Sequence, residues 1–565
     1  MRANLRPYAG PFQGPRRLRI QPRGSPAPTS SLFGMLAGSD GADRSGRERL
    51  PCVWAIAALL LAMAASAWAA PSAAAAAERP AEALPNVITI TTDDQTLAQM
   101  TEETMPFASW LFGNGGTSFS NAVVVSPSCC PSRAAYLSGQ YPHNNGIFAN
   151  EPGYPELQSK RSTLPVWLQR AGYRTAHIGK YLHQYGAFAG GWGTPAPGWD
   201  TWFTLAGTFR YYDYRIGKDG KSRSYGSRPR DYLTRRLNAK ALSFVERSTT
   251  KDKPFYLQLD QFAPHEETSA TPGRCTEAAQ PDPDDLDLFV DAPLPQDDLD
   301  PAERSYNELD VSDKSSVPAA RRELGNFVLG KVATRYRCQL AALAGVDRGI
   351  QEIYRALKAS GELASTAIFL TSDNGYFHGE HRLPKDKGYP YQEGIRVPLL
   401  ARVPKGFAPD PPATIDEPVG NVDITASVLE LAGAEPCKAS ACRRLDGRSF
   451  IGLLRGEAEG WPADRALLVE QIREGIFCAP YGALWTPASL YVEYPTELTA
   501  GAPCLPETEH YEMSSDPLQL ENLFPATTAE LGQRQRRLQR RLGRLTRCSG
   551  IAERDEPLAG VPYCE

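Results

Sequence analysis

Two acidic pairs, each closing an apolar run, and one cysteine pair followed by Pro-Ser-Arg are the residues of this 565-residue chain whose types and spacing could do chemistry. Val87-Ile88-Thr89-Ile90 stops at Thr91-Thr92-Asp93-Asp94, and Ala367-Ile368-Phe369-Leu370 stops at Thr371-Ser372-Asp373-Asn374-Gly375. Asp93, Asp94, Asp373 and Asn374 are four short oxygen-bearing side chains, and three clustered carboxylates repel one another unless a cation joins them. Oxygen-only ligation favours Ca²⁺ or Mg²⁺ over zinc, which takes His and Cys. Either pair alone reads equally as a turn after a strand. Their weight comes from standing beside Ser126-Pro127-Ser128-Cys129-Cys130-Pro131-Ser132-Arg133, where a thiol and a guanidinium lie four residues apart.

The elements that must position these groups alternate between strand and helix. The β-branched runs ending at Asp94 and Asp373 read as buried strands, and Thr163 to Ala171 and Tyr336 to Leu357 carry helical patterns between strands. The expected fold is α/β, a large and mainly parallel sheet covered by helices on both faces, with ligands beyond the carboxyl ends of the strands. Pro281 to Pro301 is acidic, Pro-rich and without a period, which reads as a surface loop. Past Asp446 the pattern changes to short runs such as Ala466-Leu467-Leu468-Val469, the mark of a small antiparallel sheet. A closing helix is expected after a Thr527–Glu530 capping box, with Leu531, Leu538, Leu542 and Leu545 on one face and arginines opposite as a solvated face. The organisation expected is a leader over 1–69, an Ala-rich linker over 70–84, a catalytic domain over 85–445 and a C-terminal subdomain over 446–565.

Charge and cysteines restrict the setting. The formal net charge is −4, and setting aside the first 69 residues leaves 52 basic against 62 acidic residues, a net of −10. That balance argues against a surface built to bind nucleic acid, which needs a positive field. Uncharged Val53 to Ala70 follows Arg44, Arg47 and Arg49 and ends in Ala67-Trp68-Ala69, the plan of a signal peptide over about 35–69, with translation starting at Met1 or Met35. An extracytoplasmic protein is expected; the alternative is an uncleaved membrane anchor, since about 18 apolar residues reach the lower limit for a span. Beyond Cys52, Cys129 and Cys130, eight cysteines remain, an even set that fits disulfides, with Cys437–Cys442 and Cys548–Cys564 the pairs guessed.

The run from Ser126 to Gly139 resembles the signature of sulfatases, Cys-x-Pro-Ser-Arg followed by a Leu and a small-residue-Gly pair. Further similar segments follow in the family's order: Tyr141-Pro142-His143-Asn144, Gly179-Lys180-Tyr181-Leu182-His183, Ala263-Pro264-His265 and Asn307-Glu308-Leu309-Asp310-Val311-Ser312-Asp313-Lys314. Lys387 to Pro398 and Tyr511-Glu512-Met513 complete the set. Cys-Cys-Pro-Ser-Arg, Gly-Lys-Tyr-Leu and Asp-Val-Ser-Asp-Lys look most like the branch holding N-acetylglucosamine-6-sulfatases and heparan endosulfatases. The resemblance implies an alkaline phosphatase-like fold and hydrolysis of a sulfate monoester, with a sulfated sugar such as N-acetylglucosamine 6-sulfate as the first candidate substrate.

It further implies that Cys129, not Cys130, is converted to formylglycine (3-oxoalanine) by a formylglycine-generating enzyme. Ca²⁺ would be held by Asp93, Asp94, Asp373, Asn374 and the modified Cys129. Arg133 would fix the formylglycine, and Lys180, His265 and Lys387 would surround the sulfate. Many sulfatases carry Lys-x-His after that Gly, whereas here Leu182 takes the His position and His183 lies one residue later. His183 is therefore either a displaced catalytic residue or a neighbour of the site. His143 and His177 are read as structural. Trp192, Trp199, Trp202, Tyr211, Tyr212 and Tyr214 are read first as packing, with sugar stacking as the alternative. Two other functions fit the same scaffold: a phosphate or phosphonate monoester hydrolase, and a glycan-binding relic without catalysis.

Overall fold

The apolar run at Val87 becomes a strand buried on both faces, Asn86–Thr92 (β1), in the computed structural model, which describes residues 84–207, 209–267, 274–436, 443–471, 481–494 and 507–565. The expected leader, all of the linker but Leu84, and the Cys437–Cys442 pair lie outside the described residues. Fifteen further strands follow: Thr117–Phe119 (β2), Ala122–Val123 (β3), Arg174–Gly179 (β4), Thr201–Ala206 (β5), Arg215–Lys218 (β6), Lys221–Ser224 (β7), Phe255–Asp260 (β8), Thr366–Ser372 (β9), Leu399–Arg402 (β10), Thr414–Ile415 (β11), Val419–Gly420 (β12), Leu467–Gln471 (β13), Tyr481–Thr486 (β14), Ser489–Tyr494 (β15) and Glu507–Glu512 (β16).

Ten of them form one sheet in the order β11–β2–β10–β9–β1–β8–β4–β5–β6–β7. Its centre, β9–β1–β8–β4–β5, is wholly parallel, while β10 and β6 join antiparallel on either side. Alternation along β1 sends Val87 to one face and Ile88 and Ile90 to the other. On the Val87 face lie helices Cys129–Ser138, Leu164–Arg170 and Asn421–Leu431; on the Ile88 face lie Pro106–Gly113, Leu233–Ser248 and Asn326–Ala359. The sheet is thus sandwiched as its period-2 strands and amphipathic helices require.

A four-stranded antiparallel sheet, β13–β14–β15–β16, carries the closing helix Ala529–Leu545. The helix begins one residue later than the Thr527–Glu530 reading: Thr528 is the N-cap and its hydroxyl accepts from the Leu531 N–H at 3.2 Å, because the hydroxyl of the residue flanking the first turn is the one that reaches its free amides. Leu542 and Leu545 pack with Leu468 and Leu484 of the small sheet and with Val125 and Ala135 beside Cys129. Arg534 pairs with Glu512, and Arg541 with Asp464 at 3.2 Å. Cys548–Cys564 is bonded, and a second disulfide, Cys275–Cys338, ties the segment before the acidic loop to the long helix Asn326–Ala359. That loop is anchored by buried Asp282, paired with Arg235, and by Asp285, 2.6 Å from Arg348. Trp199, Trp202, Tyr211 and Tyr214 are buried, so packing accounts for them. Among the described residues no helix is long and apolar enough to cross a membrane.

Candidate active site at four strand ends

Strand register does the first part of the assembly. β1 and β9 pair Thr92 with Ser372, so the next residues out of the sheet, Asp93-Asp94 and Asp373-Asn374, emerge side by side. Asp94 has φ 70°, a left-handed turn that an Asp tolerates and that swings its carboxylate back over the strand end. On the other flank β4 and β8 pair Gly179 with Asp260, setting Lys180 beside Asp260. A Cβ at Gly179 would lie 1.7 Å from the Asp260 carbonyl oxygen, so this approach needs glycine. Four adjacent parallel strands therefore deliver carboxylates and an ammonium at one rim of the sheet.

Cys129 is the first residue of its helix, and the whole helix to Ser138 is buried. Asn421 holds it, accepting from Val125 N–H at 3.1 Å and donating to the Ser132 hydroxyl at 2.9 Å. The small sheet braces the same loop: Glu470 N–H donates to the Val125 carbonyl at 3.0 Å and the Ser126 hydroxyl to Gln471 at 2.7 Å. The thiol ends 3.5 Å from Asp93 Oδ1 and 3.1 Å from Lys387 Nζ. Burial pushes its pKa well above the ordinary thiol value against the pull of Lys180 and Lys387.

Opposite charges fill the rest of the cluster. Arg133, 4% exposed, donates Nε–H to Asp373 Oδ2 at 2.8 Å and lies 3.4 Å from Asp93 and 3.5 Å from Asp260. Lys180 Nζ is 2.5 Å from Asp93 Oδ2, and Lys387 pairs with Asp94 Oδ1. Burial opposes the charge on both lysines, yet Asp93 for Lys180 and Asp94 for Lys387 outweigh it and raise both pKa values. Asp93 moves the other way: burial would raise it, but Lys180, His265 and Arg133 hold it far below the usual carboxylate range. Asp373 is pushed up to about 6, first by burial and then by Asp93. Counted as formal charges, Asp93, Asp94, Asp260 and Asp373 against Arg133, Lys180 and Lys387 leave one negative charge. A divalent cation would turn that into one positive charge, the sign an anionic substrate needs.

The residues fit such a cation. Asp93, Asp94, Cys129 and His265 offer one ligand atom each within 4.8 Å of one another. Asp94 Oδ2 and Asn374 Oδ1 are buried without a hydrogen-bond partner among the described residues, while Asn374 Nδ2–H donates to Asp94 Oδ1 at 2.6 Å. Asp373 is committed elsewhere, Oδ2 to Arg133 and Oδ1 to the Asp94 N–H at 3.2 Å. Hard oxygen donors predominate, as Ca²⁺ and Mg²⁺ prefer.

His265 faces the cluster with Nε2 3.6 Å from Asp94 Oδ2, and its Nδ1 lies 2.5 Å from the Glu266 carbonyl, which assigns the proton to Nδ1 and leaves Nε2 toward the site. His183 stands apart from the carboxylates: Nδ1 is 3.9 Å from Glu151, the ring packs 5.2 Å from Phe209, and Nε2 is buried without a partner among the described residues. Burial, helped by Lys180, drops its pKa to about 3, so it is a neutral donor or acceptor. His177 is buried between Thr204 at 2.8 Å and Asp260 at 3.0 Å and orients Asp260. His143 joins Glu470 and the Cys548 carbonyl. Sequence reading passed over Asp260. Its signal was present, because Phe255-Tyr256-Leu257-Gln258-Leu259-Asp260 is another apolar strand ending in Asp.

With that geometry in hand, likeness to known proteins carries weight. Residues 85–434 match the family model described as Sulfatase. The N-acetylglucosamine-6-sulfatase of Capra hircus is 32% identical over 403 residues, 69% of this chain and 67% of that protein. A solved structure of a protein in complex with its substrate D-glucosamine-2-N,6-O-disulfate superposes with a TM-score of 0.61 at 26% identity, covering 81% of this chain and 97% of that one. The phosphonate monoester hydrolase of Agrobacterium radiobacter superposes with a TM-score of 0.58 at 16% identity, over 81% of this chain and 94% of that one, a likeness of fold alone.

Proposed function

This chain belongs to the sulfatase family and is a sulfuric ester hydrolase; from that premise we propose that it removes sulfate from a 6-sulfated glucosamine, using a formylglycine made from Cys129 and a bound Ca²⁺. The observation that carries the proposal is the meeting at one sheet rim of the Cys129 thiol, 3.5 Å from Asp93 and 3.1 Å from Lys387, with carboxylates from two separate strands. The sugar is supported by the goat relative and by the glucosamine disulfate bound in the solved structure. Export is supported by the leader pattern and by the two disulfides.

The proposed roles follow from position. Asp93, Asp94 and Asn374, with the modified residue 129, would hold the cation, and Asp373 would join them by giving up the Asp94 N–H while keeping Arg133; the cation would supply Lewis acidity and neutralise charge on the anionic ester. A formylglycine at residue 129 would, once hydrated, supply one hydroxyl as the nucleophile toward sulfur and a second for release of the sulfate. Arg133, locked by three carboxylates, fixes the carboxylates around residue 129. Lys180 and Lys387 set donors where negative charge grows on the sulfonyl oxygens. His265, with a bare Nε2 toward the site, would first take a proton there from the attacking hydroxyl and then return it to the leaving alcohol oxygen. His183, neutral and with a free Nε2 among the described residues, contacts the alcohol side of the ester.

The test is turnover of N-acetylglucosamine 6-sulfate and of the matching 6-phosphate by protein co-expressed with a formylglycine-generating enzyme, with mass spectrometry of the peptide holding residue 129. The sulfate ester is expected to turn over faster, with an aldehyde at residue 129. Faster turnover of the phosphate would assign the site to phosphomonoesters, and full activity with an intact thiol would remove formylglycine from the scheme.

A further inference from the structure

One segment that looks like the family, Asn307 to Lys314, has no part in the chemistry above, and the structure gives it a task. Lys387 rides on a loop over residues 375–394 that leaves the sheet rim at Asp373-Asn374 and returns to it. The loop is pinched at its base: Gly375 N–H donates to the Gly394 carbonyl at 3.0 Å and Tyr376 N–H to that of Glu393 at 2.9 Å. A Cβ at Gly375 would lie 1.9 Å from the Glu393 carbonyl oxygen, so the pinch requires glycine. Residues 305–309 then grip its middle. Asn307 N–H donates to the Gly379 carbonyl at 2.9 Å, His381 N–H to Ser305 at 2.8 Å, and Arg382 Nε–H to Glu308 at 2.8 Å. His381 and Arg382 are consecutive residues in the left-handed region, with φ 50° and 57°, a conformation that holds only when its surroundings enforce it.

Buried charge is the enforcing element. His381 is fully buried, Nδ1 2.7 Å from Glu308 Oε2 and Nε2 3.7 Å from Glu393 Oε2, with the Tyr391 ring 4.2 Å from its own. Glu393 also accepts from the Ser305 hydroxyl at 3.0 Å, and Glu308 Oε1 is 3.0 Å from Lys314 Nζ. Lys314 is itself anchored at 2.8 Å on both Asp313 and the Leu520 carbonyl. Burial resists the charge on His381, but Glu308 and Glu393 raise its pKa to about 9. The adjacent Glu380 carboxyl is pushed up to about 8 by burial and Glu393, so it is mostly neutral at pH 7. Three carboxylates, Glu308, Glu393 and the partly exposed Asp313, thus face two cations, His381 and Lys314. Removing either partner strands a buried charge, which is costly.

We propose that His381 is a positioning residue for Lys387: held between Glu308 and Glu393, it clamps the 375–394 loop to the 305–314 segment and so fixes the Lys387 ammonium at the corner between Asp94 and residue 129. The inference rests on Lys387 acting at the sulfate, as proposed above. A loop of this length, tethered only at its base, would let a lysine wander by several ångströms, and misplacement by about 1 Å costs on the order of 10²-fold in rate.

Two measurements on His381→Gln and Glu308→Gln test it. Hydrogen-exchange mass spectrometry, which needs no activity, is expected to show faster exchange in peptides over 305–314 and 375–394 with β1, β8 and β9 as protected as in wild type. Turnover of 4-nitrophenyl sulfate is expected to fall at least tenfold in kcat in each variant, and that loss is expected to vanish when the same change is made in a Lys387→Met background, since the clamp acts through that lysine. Unchanged exchange in both segments would overturn the clamp, as would an equal loss of kcat in the Lys387→Met background. Should His381→Gln fail to fold, Ser305→Ala, which removes the hydroxyl that donates to Glu393 and accepts from Gln296, carries both measurements. If the wild type turns over no sulfate ester, the proposed function falls, and the exchange result alone then decides whether the clamp exists.

Discussion

Lys387 and Cys129 stand 3.1 Å apart, Nζ to Sγ, although 258 residues separate them along the chain. The contact unites the helix that begins at residue 129 with the loop that leaves β9, the thiol reaching Asp93 and the ammonium Asp94. A single ammonium therefore touches the precursor of the proposed nucleophile and a carboxylate of the proposed metal site at once, and changes to any of the three are expected to be strongly coupled.

Cys129→Ala is expected to abolish turnover of sulfate esters by at least about 10³-fold while leaving the melting temperature within a few degrees, because it removes one atom from a buried but polar corner. Steady-state assays beside thermal unfolding check both halves. Activity within tenfold of wild type would remove residue 129 from the chemistry.

His265→Gln separates the leaving-group acid from the sulfate-binding cations. An acid matters most when the departing alcohol is a poor leaving group, so kcat for an alkyl or sugar sulfate is expected to fall by about 10²–10⁴, and that for 4-nitrophenyl sulfate much less. Lys387→Met is expected to slow both substrates alike. Equal losses in the two variants for both substrates would take His265 out of that role.

Chelation with EGTA is expected to lower activity and thermal stability together, since four carboxylates at one rim then face each other with only Arg133, Lys180 and Lys387 as counter-charges. Added Ca²⁺ at about 100 times its dissociation constant should restore about 2.7 kcal/mol of stability. Asp94→Asn is expected to blunt that response. A melting temperature indifferent to chelator and to Ca²⁺ would argue that no such cation binds.

His143 supplies a pH dependence away from the site. Burial disfavours its charge, yet its hydrogen bond and ion pair with Glu470 at 2.7 Å win and raise the pKa to about 9. A group whose pKa is higher folded than unfolded stabilises fully below the unfolded value, about 6.5, and loses that contribution as pH rises through 9. Stability measured by denaturant titration is expected to decline between pH 6.5 and 9, and His143→Gln to flatten part of the decline at a cost of roughly 1–3 kcal/mol at pH 6. An identical slope in the variant would show that His143 is not the group responsible.

Much of this protein is decided locally and can be read from the chain. The runs ending at Asp93 and Asp373 are strands because β-branched residues buried on both faces favour them, and their acidic ends lie beyond the sheet because short parallel strands stop where the apolar run stops. The segment around Cys129 is equally local: a Ser, two Cys and a Pro open a helix whose C-cap is Gly139 in the left-handed region. The oxygen-rich chemistry of the candidate site follows from types and order, whereas Cys129, Arg133, Lys180, His265 and Lys387 were pointed to by the resemblance to sulfatases.

Tertiary structure decided which of those residues share space. Register between β1 and β9 is set by pairing across the sheet, and it is what places Asp94 against Asn374 and leaves Asp373 turned to Arg133. Asp260 entered the cluster because β8 lies between β1 and β4 in the sheet, an order that no local pattern encodes. His183 fell beside Glu151 and Phe209, at the margin of the cluster, because Lys180 leaves the sheet rim before the chain turns. The clamp on Lys387 depends on Glu308 and His381, 73 residues apart, and only burial gives their pairing its strength. Local chemistry is a property of side chains, but distance between charges is a property of the fold, and the energies at this site depend on distance and on the exclusion of water.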